Sequence, residues 1–565
     1  MHKYRTHTTR EILEGKHTND IVRLSGWINN LERLSDDCFT ISLKEHYGVI
    51  NCTIDKHNYN CWRLLDSLCL HCAITVTGRA KAKDNKSYIE VDKLVILSTS
   101  KSLPNLTVEL NSNPEKDDEY RFLSLRQQEL HQNIVTRANI IDYIRSYLNK
   151  KSFVEVQTPI LSVESPEGAK SFLVENPAQE NVNYSLPQSP QVYKQLLMVS
   201  GFDRYYQVAP CFRYKQGHPS RTLYEFYQLD MEMCFVEQQE IIELAEKFIM
   251  SIFEKYGDKK FNRPPFPRVT YEQSMLISNS DKPDLRNFVN VVDVTNEIIQ
   301  SENKQLLTLI EEKYLTILKA LHANEISEST ISKLGEIVEL DLIKTVSYND
   351  NNFYFYSDYN LLIDTTTTQV MTSELVKACS KVEQGLGIIG NQTYLIFLES
   401  QQLENIIVKV RDTLADEFAT FDESEHAFCW VTDFPLFKLN NESSLAFNHN
   451  PFSMPTGCIN DNIDTMTQEE LLKATSSQID LVCNGIELAS GAMRIHDHDF
   501  LLKILNKIGL EREAYKEILS AYDFAPPPHG GIAFGIERLL MLLMNQTHVR
   551  DIVAFPKGPQ YNKNL

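Results

Sequence analysis

Three arginines far apart along the chain carry the clearest chemical signal: Arg213, Arg494 and Arg538. Arg538 falls in the first turn of a predicted helix, directly after a short apolar segment that ends at Gly535. The N-terminal end of a helix favours anions, so a guanidinium at this point needs an anionic partner. A phosphate would serve, because helix N-termini bind phosphate oxygens and arginine offers two parallel donors. The alternative is that Arg538 pairs with a local carboxylate such as Glu537 or extends into solvent.

Two acids, Asp480 and Glu487, flank Asn484-Gly485, which is the strongest short hairpin signal. In such a hairpin the two carboxylates lie diagonally on one face, where they could hold a hard divalent ion such as Mg²⁺ together with substrate phosphates. Strict alternation would turn Arg494 away from Glu487. We therefore expect a β-bulge near Gly491 that brings both side chains into one pocket.

Another polar group lies between residues 185 and 235. Ser189 is a good N-cap and Pro190 suits the first helical position, so a helix is predicted from Gln191 to about Ser200, with Gln191 and Lys194 on one face. On a later strand, alternation places a mostly polar row on one face: Phe226, Gln228, Asp230 and Glu232. The row indicates the floor of a wet site, although an ordinary solvent-facing sheet has the same pattern.

These residues favour one class of chemistry. Three arginines, one lysine and two carboxylates, without a candidate nucleophile beside a base, indicate a reaction driven by positioning and charge neutralisation. Phosphoryl and nucleotidyl transfer behave in this way, because the substrate supplies the nucleophile. The chain has no Walker loop or dinucleotide fingerprint, so the nucleotide would have to lie on an antiparallel sheet.

Five short strands are predicted between residues 21 and 100, with a helix-like stretch from Trp62 to Leu70. This pattern fits a small closed β-barrel of the oligonucleotide-binding kind. Phe39 could stack on a base, and the basic run from Arg79 to Lys83 could follow a phosphate backbone. Both features also have ordinary alternatives, since barrel aromatics are usually core residues and short basic runs are usually solvated.

The rest of the chain supplies a framework for these groups. The segment from Phe153 to Leu161 reads as a strand that Pro159 confines to a sheet edge or an interface. Residues 288 to 425 lack catalytic spacing and behave like an inserted module, with a charged, mostly helical pattern from Glu311 to Ile343.

Composition limits the possible classes of protein. The formal charge of −20 argues against wholesale electrostatic capture of nucleic acid but leaves room for a local basic track. No apolar run is long enough to span a bilayer, and the basic N-terminus lacks an apolar signal region, so a cytosolic protein is expected, with an organellar matrix left open. Eleven cysteines indicate reduced thiols, and the single pair Cys69 and Cys72 is a poor zinc signal.

Four segments resemble the bacterial type of aspartyl-tRNA synthetase, a class II enzyme: residues 186–206, 280–286, 430–435 and 531–538. The similarity extends over nearly the whole chain in the right order. It implies an α+β protein with an oligonucleotide-binding anticodon barrel (1–103), a hinge (104–120), an antiparallel catalytic sheet flanked by helices in two halves (121–287 and 426–565) and an inserted α/β module of the GAD type (288–425). It also implies a homodimer formed around the first class II motif, near Pro159.

The resemblance further implies roles for individual residues. Arg213 looks like the second-motif arginine on the α-phosphate, and Arg538 looks like the third-motif arginine on the γ-phosphate. Asp480 and Glu487 match the carboxylates of the Mg²⁺–ATP site, which Gln216, Arg221 and Gly535 complete. Lys194 and Arg494 match the cations that hold the aspartate side chain. Around the amino acid lie Glu167, Gln191, Gln228, Asp230 and His449, and Arg33, Phe39 and Asn51 are expected to contact the anticodon.

The implied activity is ATP-dependent activation of L-aspartate and its transfer to tRNA(Asp), with charging of tRNA(Asn) left open. Departures from the family pattern include Lys215 after Arg213, Glu32 in place of an anticodon-contacting arginine, and Ala489-Ser-Gly-Ala492 in place of a glycine-rich turn. Two alternatives therefore remain at this point: an asparaginyl-tRNA synthetase, or a catalytically impaired paralogue that binds RNA or a regulatory partner.

Overall fold

The computed structural model describes residues 3–84, 86–101, 117, 119–162, 170–177, 179, 183–214, 221–278, 280–286, 289–293, 314–320, 342–348, 351–356, 393–399, 413–414, 424–440, 444–457, 459, 463–510 and 512–558. The chain forms two compact units, residues 1–132 and residues 133–565. Among the residues described, no helix has both the length and the apolar character that a bilayer span requires.

The N-terminal unit is built on a closed five-stranded barrel. It contains the helices α1 (Thr9–Leu13), α2 (Tyr59–Trp62) and α3 (Arg121–Ser124), and the strands β1 (Ile21–Ser35), β2 (Cys38–Glu45), β3 (Gly48–Asp55), β4 (Ala73–Lys83) and β5 (Lys86–Ser98). The order β1-β2-β3-β5-β4 closes through antiparallel pairing of β1 with β4. Inward residues alternate along each strand, as Leu24, Ile41, Leu43, Ile74 and Val76 show, and all of these are fully buried. The oligonucleotide-binding barrel is confirmed.

One local prediction in this unit is wrong. The helix expected from Trp62 to Leu70 is replaced by α2 and a separate 3₁₀ turn at Leu65–Ser67. Asn58 ties the start of α2 to β5 by donating to the Val91 and Asp92 carbonyls. The leucines that follow pack in irregular turns against the barrel core, so tertiary packing overrides their helical propensity.

Among the described residues, the remaining helices are α4 (Gln128–Asn149), α5 (Gln191–Val199), α6 (Gln238–Tyr256), α7 (Tyr271–Ser278), α8 (Gln468–Leu472), α9 (His498–Lys507), α10 (Lys516–Tyr522) and α11 (Ile536–Leu543), with 3₁₀ turns at Arg512–Tyr515 and Val549–Ile552. Helix α5 confirms the predicted span, but Ser189 is not its N-cap. The first helical hydrogen bond runs from the Lys194 N–H to the Pro190 carbonyl, which makes Pro190 the N-cap.

The strands after the barrel are β6 (Val154–Glu155), β7 (Leu173–Glu175), β8 (Asn183–Ser185), β9 (Arg204–Phe212), β10 (Glu225–Cys234), β11 (Lys260–Phe261), β12 (Arg268–Thr270), β13 (Val289–Asp293), β14 (Tyr314–Ala320), β15 (Leu342–Tyr348), β16 (Asn351–Tyr356), β17 (Thr393–Glu399), β18 (Glu425–His426), β19 (Phe428–Thr432), β20 (Phe437–Leu439), β21 (Leu445–Phe447), β22 (Pro455–Thr456), β23 (Thr475–Ser476), β24 (Ile479–Cys483), β25 (Ile486–Met493) and β26 (His529–Gly535).

Eight of these strands form the central sheet, in the order β12-β19-β24-β25-β26-β10-β9-β6. The six inner strands are antiparallel, and the edge strands β12 and β6 pair in parallel. One face packs against α4, α6 and α11 through a large apolar core that includes Trp430, Leu481, Ile532 and Phe534. The antiparallel sheet flanked by helices confirms the predicted α+β class, and the edge position predicted for the segment before Pro159 is also confirmed.

The inserted segment contains a second sheet of five strands, in the order β13-β14-β17-β16-β15. The mostly helical pattern expected from Glu311 to Ile343 is wrong for Tyr314–Ala320, which forms the strand β14, and for the start of β15 at Leu342. Strand β14 pairs on both sides, with β13 and β17, and its mostly apolar run Leu315 to Leu318 suits a strand inside a sheet. The residues from 321 to 341 lie outside those described.

Candidate active site

The sheet face opposite α4, α6 and α11 carries a polar row that crosses four strands. Asp230 pairs with Ala533, Ala533 with Ser490, and Ser490 with Asp480. Directly paired residues of antiparallel strands point to the same face, so Asp230 and Asp480 lie on one surface. Three interstrand steps separate them, roughly 14 Å, which leaves room for an amino acid and a nucleotide side by side.

The hairpin predicted between β24 and β25 is confirmed. Asn484 and Gly485 adopt φ angles of 52° and 73°, and Val482 pairs with Glu487. Two residues with positive φ are what a two-residue turn of this kind needs, which explains the Asn-Gly sequence.

The predicted bulge also exists, but its position near Gly491 is wrong. Leu481 pairs with Ala489 while Val482 pairs with Glu487, so Leu488 is the extra residue. Leu488 is 1% exposed and packs into the helix-side core. Burial of this side chain places the bulge there, and the shift in alternation brings Glu487 and Arg494 onto the same face.

Four charged side chains form a buried cluster at one end of the row. Lys194 Nζ lies 3.0 Å from Asp230 Oδ1 and 3.1 Å from Glu232 Oε2. Arg494 Nε donates to Glu232 Oε1 at 2.9 Å, and its Nη2 donates to Glu232 Oε2 at 3.3 Å. None of the four is more than 4% exposed. Two cations balance two carboxylates, so the cluster is neutral before any ligand binds.

Glycine is required at one position beneath this cluster. Gly531 pairs with Glu232 on one side and with Ala492 on the other. A Cβ atom at Gly531 would collide with Glu232 Oε2 and with the Met231 carbonyl. Because the glycine has no side chain, the Glu232 carboxylate can lie across β26 and reach Arg494.

The two acids of the cluster differ in their ionisation. Burial works against the charged form of Glu232, but Arg494 and Lys194 outweigh it and lower the pKa of Glu232 to about 2. Burial raises the pKa of Asp230, and Lys194 opposes that shift only in part. Glu232 is therefore the fixed anion that holds both cations in place, while Asp230 responds more readily to a bound positive charge.

Asp480 and Glu487 form a second, acidic group at the other end of the row. Asp480 is 2% exposed, and burial together with the charge of Glu487 raises the pKa of Asp480 to about 7. Gln478 Nε2 donates to Asp480 Oδ1 at 3.1 Å and to Ser490 Oγ at 3.0 Å. Lys282 Nζ lies 3.6 Å from Glu487 Oε2 and 2.6 Å from Asp281 Oδ2.

These two carboxylates fit a divalent cation. The raised pKa of Asp480 results from burial and from repulsion by Glu487, and a bound cation would offset both. Within the described ranges, no group of three or more histidines, cysteines and acids could hold a metal. Two protein carboxylates completed by substrate phosphates and water are the donor set that Mg²⁺ commonly has.

This geometry predicts that metal binding depends on pH. A proton and a metal ion would compete for Asp480, whose pKa is raised to about 7. Mn²⁺ binding to the nucleotide-free protein, followed by electron paramagnetic resonance, should be about tenfold weaker at pH 6 than at pH 8. Asp480→Asn should remove most of this dependence. Equal affinity at both pH values in the wild-type protein would contradict the role of Asp480.

Arg538 lies beside the acidic group. It occupies the first turn of α11, and its Nη1 donates to the Glu487 carbonyl at 2.8 Å and lies 3.7 Å from Glu487 Oε2. Local pairing with Glu537 is excluded, because Glu537 accepts from Arg137 Nη2 at 2.8 Å and from the Tyr227 N–H at 2.9 Å. The Arg538 side chain is 41% exposed, so its remaining donors can reach a ligand.

Arg213 lies just beyond β9. Its Nε donates to the Gln188 carbonyl at 3.2 Å, and its guanidinium lies 5.3 Å from the ring centre of Phe226. Among the residues that the structure describes, no carboxylate lies within ion-pair distance of Arg213. The stacked guanidinium therefore keeps donors available for an anion.

The other predicted site residues differ in their surroundings. Gln191 is buried on α5 with its Nε2 unpartnered among the described residues, and Gln228 Oε1 accepts from Cys211 Sγ at 3.4 Å. His449 meets Phe434 edge-on at 5.1 Å, and Gly535 precedes α11 without strain. Arg221 is exposed. Glu167 and Gln216 lie outside the described residues, as does Lys215.

The predicted anticodon residues lie in the barrel. Phe39 packs partly against the barrel core, with the same orientation as Ile41, and its cross-strand partner is the exposed Arg33. Asn51 is exposed and pairs with Ser42, on the opposite face of the strands from Phe39. The structure thus brings Arg33 and Phe39 together and places Asn51 apart from them.

Sequence reasoning missed two residues with clear structural roles. Glu232 was recognised only as a member of the polar row, although it anchors both Lys194 and Arg494. Lys282 was seen only as part of a family motif, although it supplies the ammonium group beside Glu487. The position of Glu232 could have been predicted, because it lies two residues after Asp230 on β10 and therefore on the same face. Lys282 carries no such pattern.

Comparison with known proteins settles the family. The model of the class II tRNA synthetases for D, K and N matches residues 113–559. The chain belongs to the class II tRNA synthetases. The aspartate–tRNA(Asp/Asn) ligase of Pelagibacter ubique is 36% identical to this synthetase, over 98% of this chain and 95% of that protein. The ligase of the same name from Rickettsia prowazekii is 37% identical, over 99% of this chain and 94% of that protein.

A solved structure agrees at the level of the fold. The asparaginyl-tRNA synthetase of Pyrococcus horikoshii, complexed with asparaginyl-adenylate, superposes with a TM-score of 0.59 and covers 96% of each chain. Its sequence identity with this synthetase is 16%, so the likeness concerns architecture.

Proposed function

We propose that this synthetase is an aspartate–tRNA ligase. An oxygen of the aspartate α-carboxylate attacks the α-phosphorus of ATP, and pyrophosphate leaves to give aspartyl-adenylate. The 3′-terminal hydroxyl of the tRNA then attacks the activated carbonyl, and AMP leaves. The support comes from full-length relatives that are named aspartate–tRNA(Asp/Asn) ligases, together with two buried cations at one end of the polar row.

The buried cluster suits a dicarboxylic amino acid. Arg494 uses Nε and Nη2 for Glu232, and its Nη1 has no partner among the residues described. Arg494 and Lys194 can therefore hold the aspartate side-chain carboxylate, while Asp230 takes the ammonium group. An asparagine amide would bring no negative charge to the two cations, so binding should favour aspartate.

The other end of the row suits the triphosphate. Arg213 would hold the α-phosphate and orient the attacking carboxylate, and Arg538 would hold the γ-phosphate through the donors that Glu487 leaves free. Mg²⁺ on Asp480 and Glu487 would neutralise charge on the leaving pyrophosphate. The protein residues thus act by positioning and charge neutralisation, without a covalent nucleophile.

Charging assays with purified tRNAs test this proposal. The printed names of the relatives include both tRNA(Asp) and tRNA(Asn), and we expect aspartate to be attached to both. Aspartate on tRNA(Asp) alone would restrict the proposal to one tRNA. Charging with asparagine instead would overturn it in favour of an asparaginyl enzyme, and the absence of charging would favour an impaired paralogue.

The barrel supports a prediction about tRNA recognition. Phe39 is only partly buried, and its neighbour Arg33 is exposed. If the ring stacks on an anticodon base, Phe39→Ala should weaken tRNA charging by about 1–3 kcal/mol and leave ATP–pyrophosphate exchange unchanged. Phe39→Leu is the matched control, because it keeps an apolar side chain against the barrel core. Charging by the leucine variant at the wild-type level would show that Phe39 does not stack on an anticodon base.

We also propose that the synthetase is a homodimer that works in the cytosol. Support for the dimer comes from the sheet edge at β6 and the segment that follows it, where Val154, Ile160 and Leu161 are 47–52% exposed. Apolar residues at an exposed edge favour pairing with a second copy. Sedimentation equilibrium should therefore give twice the mass of the chain, and replacing Ile160 and Leu161 together by Asp should produce monomers.

A further inference from the structure

The N-terminal unit contains a cavity of about 390 Å³ that none of the roles above uses. Trp27 and Lys44, which are cross-strand partners on β1 and β2, form one wall. Phe122 on α3 and Arg126 just after it also line the cavity. The volume falls within the range of small-molecule sites. We call this space, bounded by Trp27, Lys44, Phe122 and Arg126, the N-terminal cavity.

Two cations, Lys44 and Arg126, line the N-terminal cavity. Lys44 is 7% exposed and its Nζ donates to the Arg126 carbonyl. The Arg126 guanidinium lies 4.6 Å from the ring centre of Trp27. In the part of the chain that the structure describes, no carboxylate lies within ion-pair distance of either cation. Burial lowers the pKa of both groups, which reflects the cost of keeping two charges there.

The remaining titratable groups of the cavity do not balance this charge. The Glu45 carboxylate accepts from the Thr9 N–H and lies 3.8 Å from Arg5 Nη1, so it interacts with these two residues. Burial and the charge of Arg126 lower the pKa of His71. His46 Nδ1 and His131 Nε2 share a hydrogen bond of 3.0 Å, in which one nitrogen must be unprotonated.

An anion would compensate the two cations, and the aromatic walls would hold a flat ring beside it. We propose that the N-terminal cavity binds a nucleotide-sized planar anion: an aromatic ring that carries a phosphate. Lys44 and Arg126 hold the phosphate, and Trp27 and Phe122 enclose the ring. This chemistry is shared by a free mononucleotide and by one nucleotide of an RNA chain. The proposal does not depend on the function proposed for the catalytic sheet.

Calorimetry with phenyl phosphate as the probe tests the proposal on the full chain. The α,β-methylene analogue of ATP is kept in excess, so that the catalytic cleft is occupied. We expect phenyl phosphate to bind about tenfold more tightly than inorganic phosphate, because only the former has a ring to stack. Equal affinity for the two probes, or the absence of binding, would overturn the proposal.

Three variants locate the binding. Lys44→Met and Arg126→Gln should each weaken phenyl phosphate binding about tenfold, because each removes one charge-assisted contact. Lys86→Met removes an exposed cation of β5 and should leave binding unchanged. Thermal unfolding checks that each variant is folded, and Arg126→Lys keeps the charge if Arg126→Gln is unstable. Wild-type affinity in the folded variants would place the probe elsewhere and refute the assignment.

Competition distinguishes the two sources of the ligand. Uridine monophosphate and a short oligouridylate are titrated against bound phenyl phosphate under the same conditions. Displacement at lower concentration by the mononucleotide supports a free metabolite, and displacement at lower concentration by the oligonucleotide supports RNA. Failure of both to displace the probe would overturn the proposal that the cavity recognises nucleotides.

Discussion

Replacement of Arg494 by leucine is expected to lower aspartate-dependent ATP–pyrophosphate exchange by about a thousandfold while ATP binding stays measurable. The variant removes a cation that would hold the substrate side chain. It also deprives Glu232 of its two hydrogen bonds from the guanidinium and leaves that carboxylate buried beside Lys194 alone. The nucleotide end of the row should be affected much less, because three interstrand steps separate Asp480 from Asp230.

The same change should reduce stability, and a double variant separates the two effects. Breaking one side of a buried ion pair costs about 3–5 kcal/mol of unfolding free energy. Glu232→Gln combined with Arg494→Leu removes both partners and should recover much of that loss without recovering exchange. Arg494→Lys keeps the charge and should retain more activity than leucine. Equal loss of ATP binding and of aspartate activation in a folded Arg494→Leu protein would refute the role assigned to this residue.

Replacement of Asp480 by asparagine should have opposite effects on activity and on stability. Exchange should fall by about a hundredfold or more, because one of the two carboxylates proposed to hold the metal is lost. The folded protein, however, should become more stable at pH 8. The pKa of Asp480 is raised to about 7, so its ionised form is disfavoured in the folded state.

The sign of this effect follows from proton linkage. The folded state holds the Asp480 proton up to about pH 7, whereas the unfolded state releases it near the ordinary value of 3.8. The wild-type protein therefore loses stability as the pH rises from 4 to 7 and stays at the lower level above 7. Asp480→Asn should recover on the order of 2–4 kcal/mol at pH 8 by denaturant titration. Glu487→Gln is the matched control, because it removes the other carboxylate proposed for the metal. Glu487 is more exposed than Asp480, so its charge should affect stability less. If Asp480→Asn is less stable than wild type at pH 8, the ionised Asp480 does not destabilise the folded state.

Local signals in the sequence were sufficient for several parts of the site. The Asn484-Gly485 turn could be predicted because positive φ at two successive residues is a strict backbone requirement. The polar row on β10 could be predicted because alternation fixes which face each side chain occupies. Neither prediction required knowledge of the neighbouring strands.

Other features depend on contacts that no local pattern encodes. Glu232 and Arg494 are 262 residues apart, and they meet only because β26 lies between β10 and β25 with Gly531 beneath the carboxylate. A bulge was needed to bring Glu487 and Arg494 onto the same face. A bulge at any position between these two residues would have had that effect. Burial of Leu488 in the core decides the position. Strand β14 was likewise misjudged, because pairing on both of its edges overrides a helix-like charge pattern.

We propose that one face of the catalytic sheet holds a triphosphate beside an amino acid whose side chain is negatively charged. Aspartate-dependent ATP–pyrophosphate exchange, measured with purified protein and compared with asparagine, tests this arrangement most directly. We expect rapid exchange with aspartate, and exchange with asparagine at least about a hundredfold slower. Exchange with asparagine that equals or exceeds exchange with aspartate would contradict this arrangement.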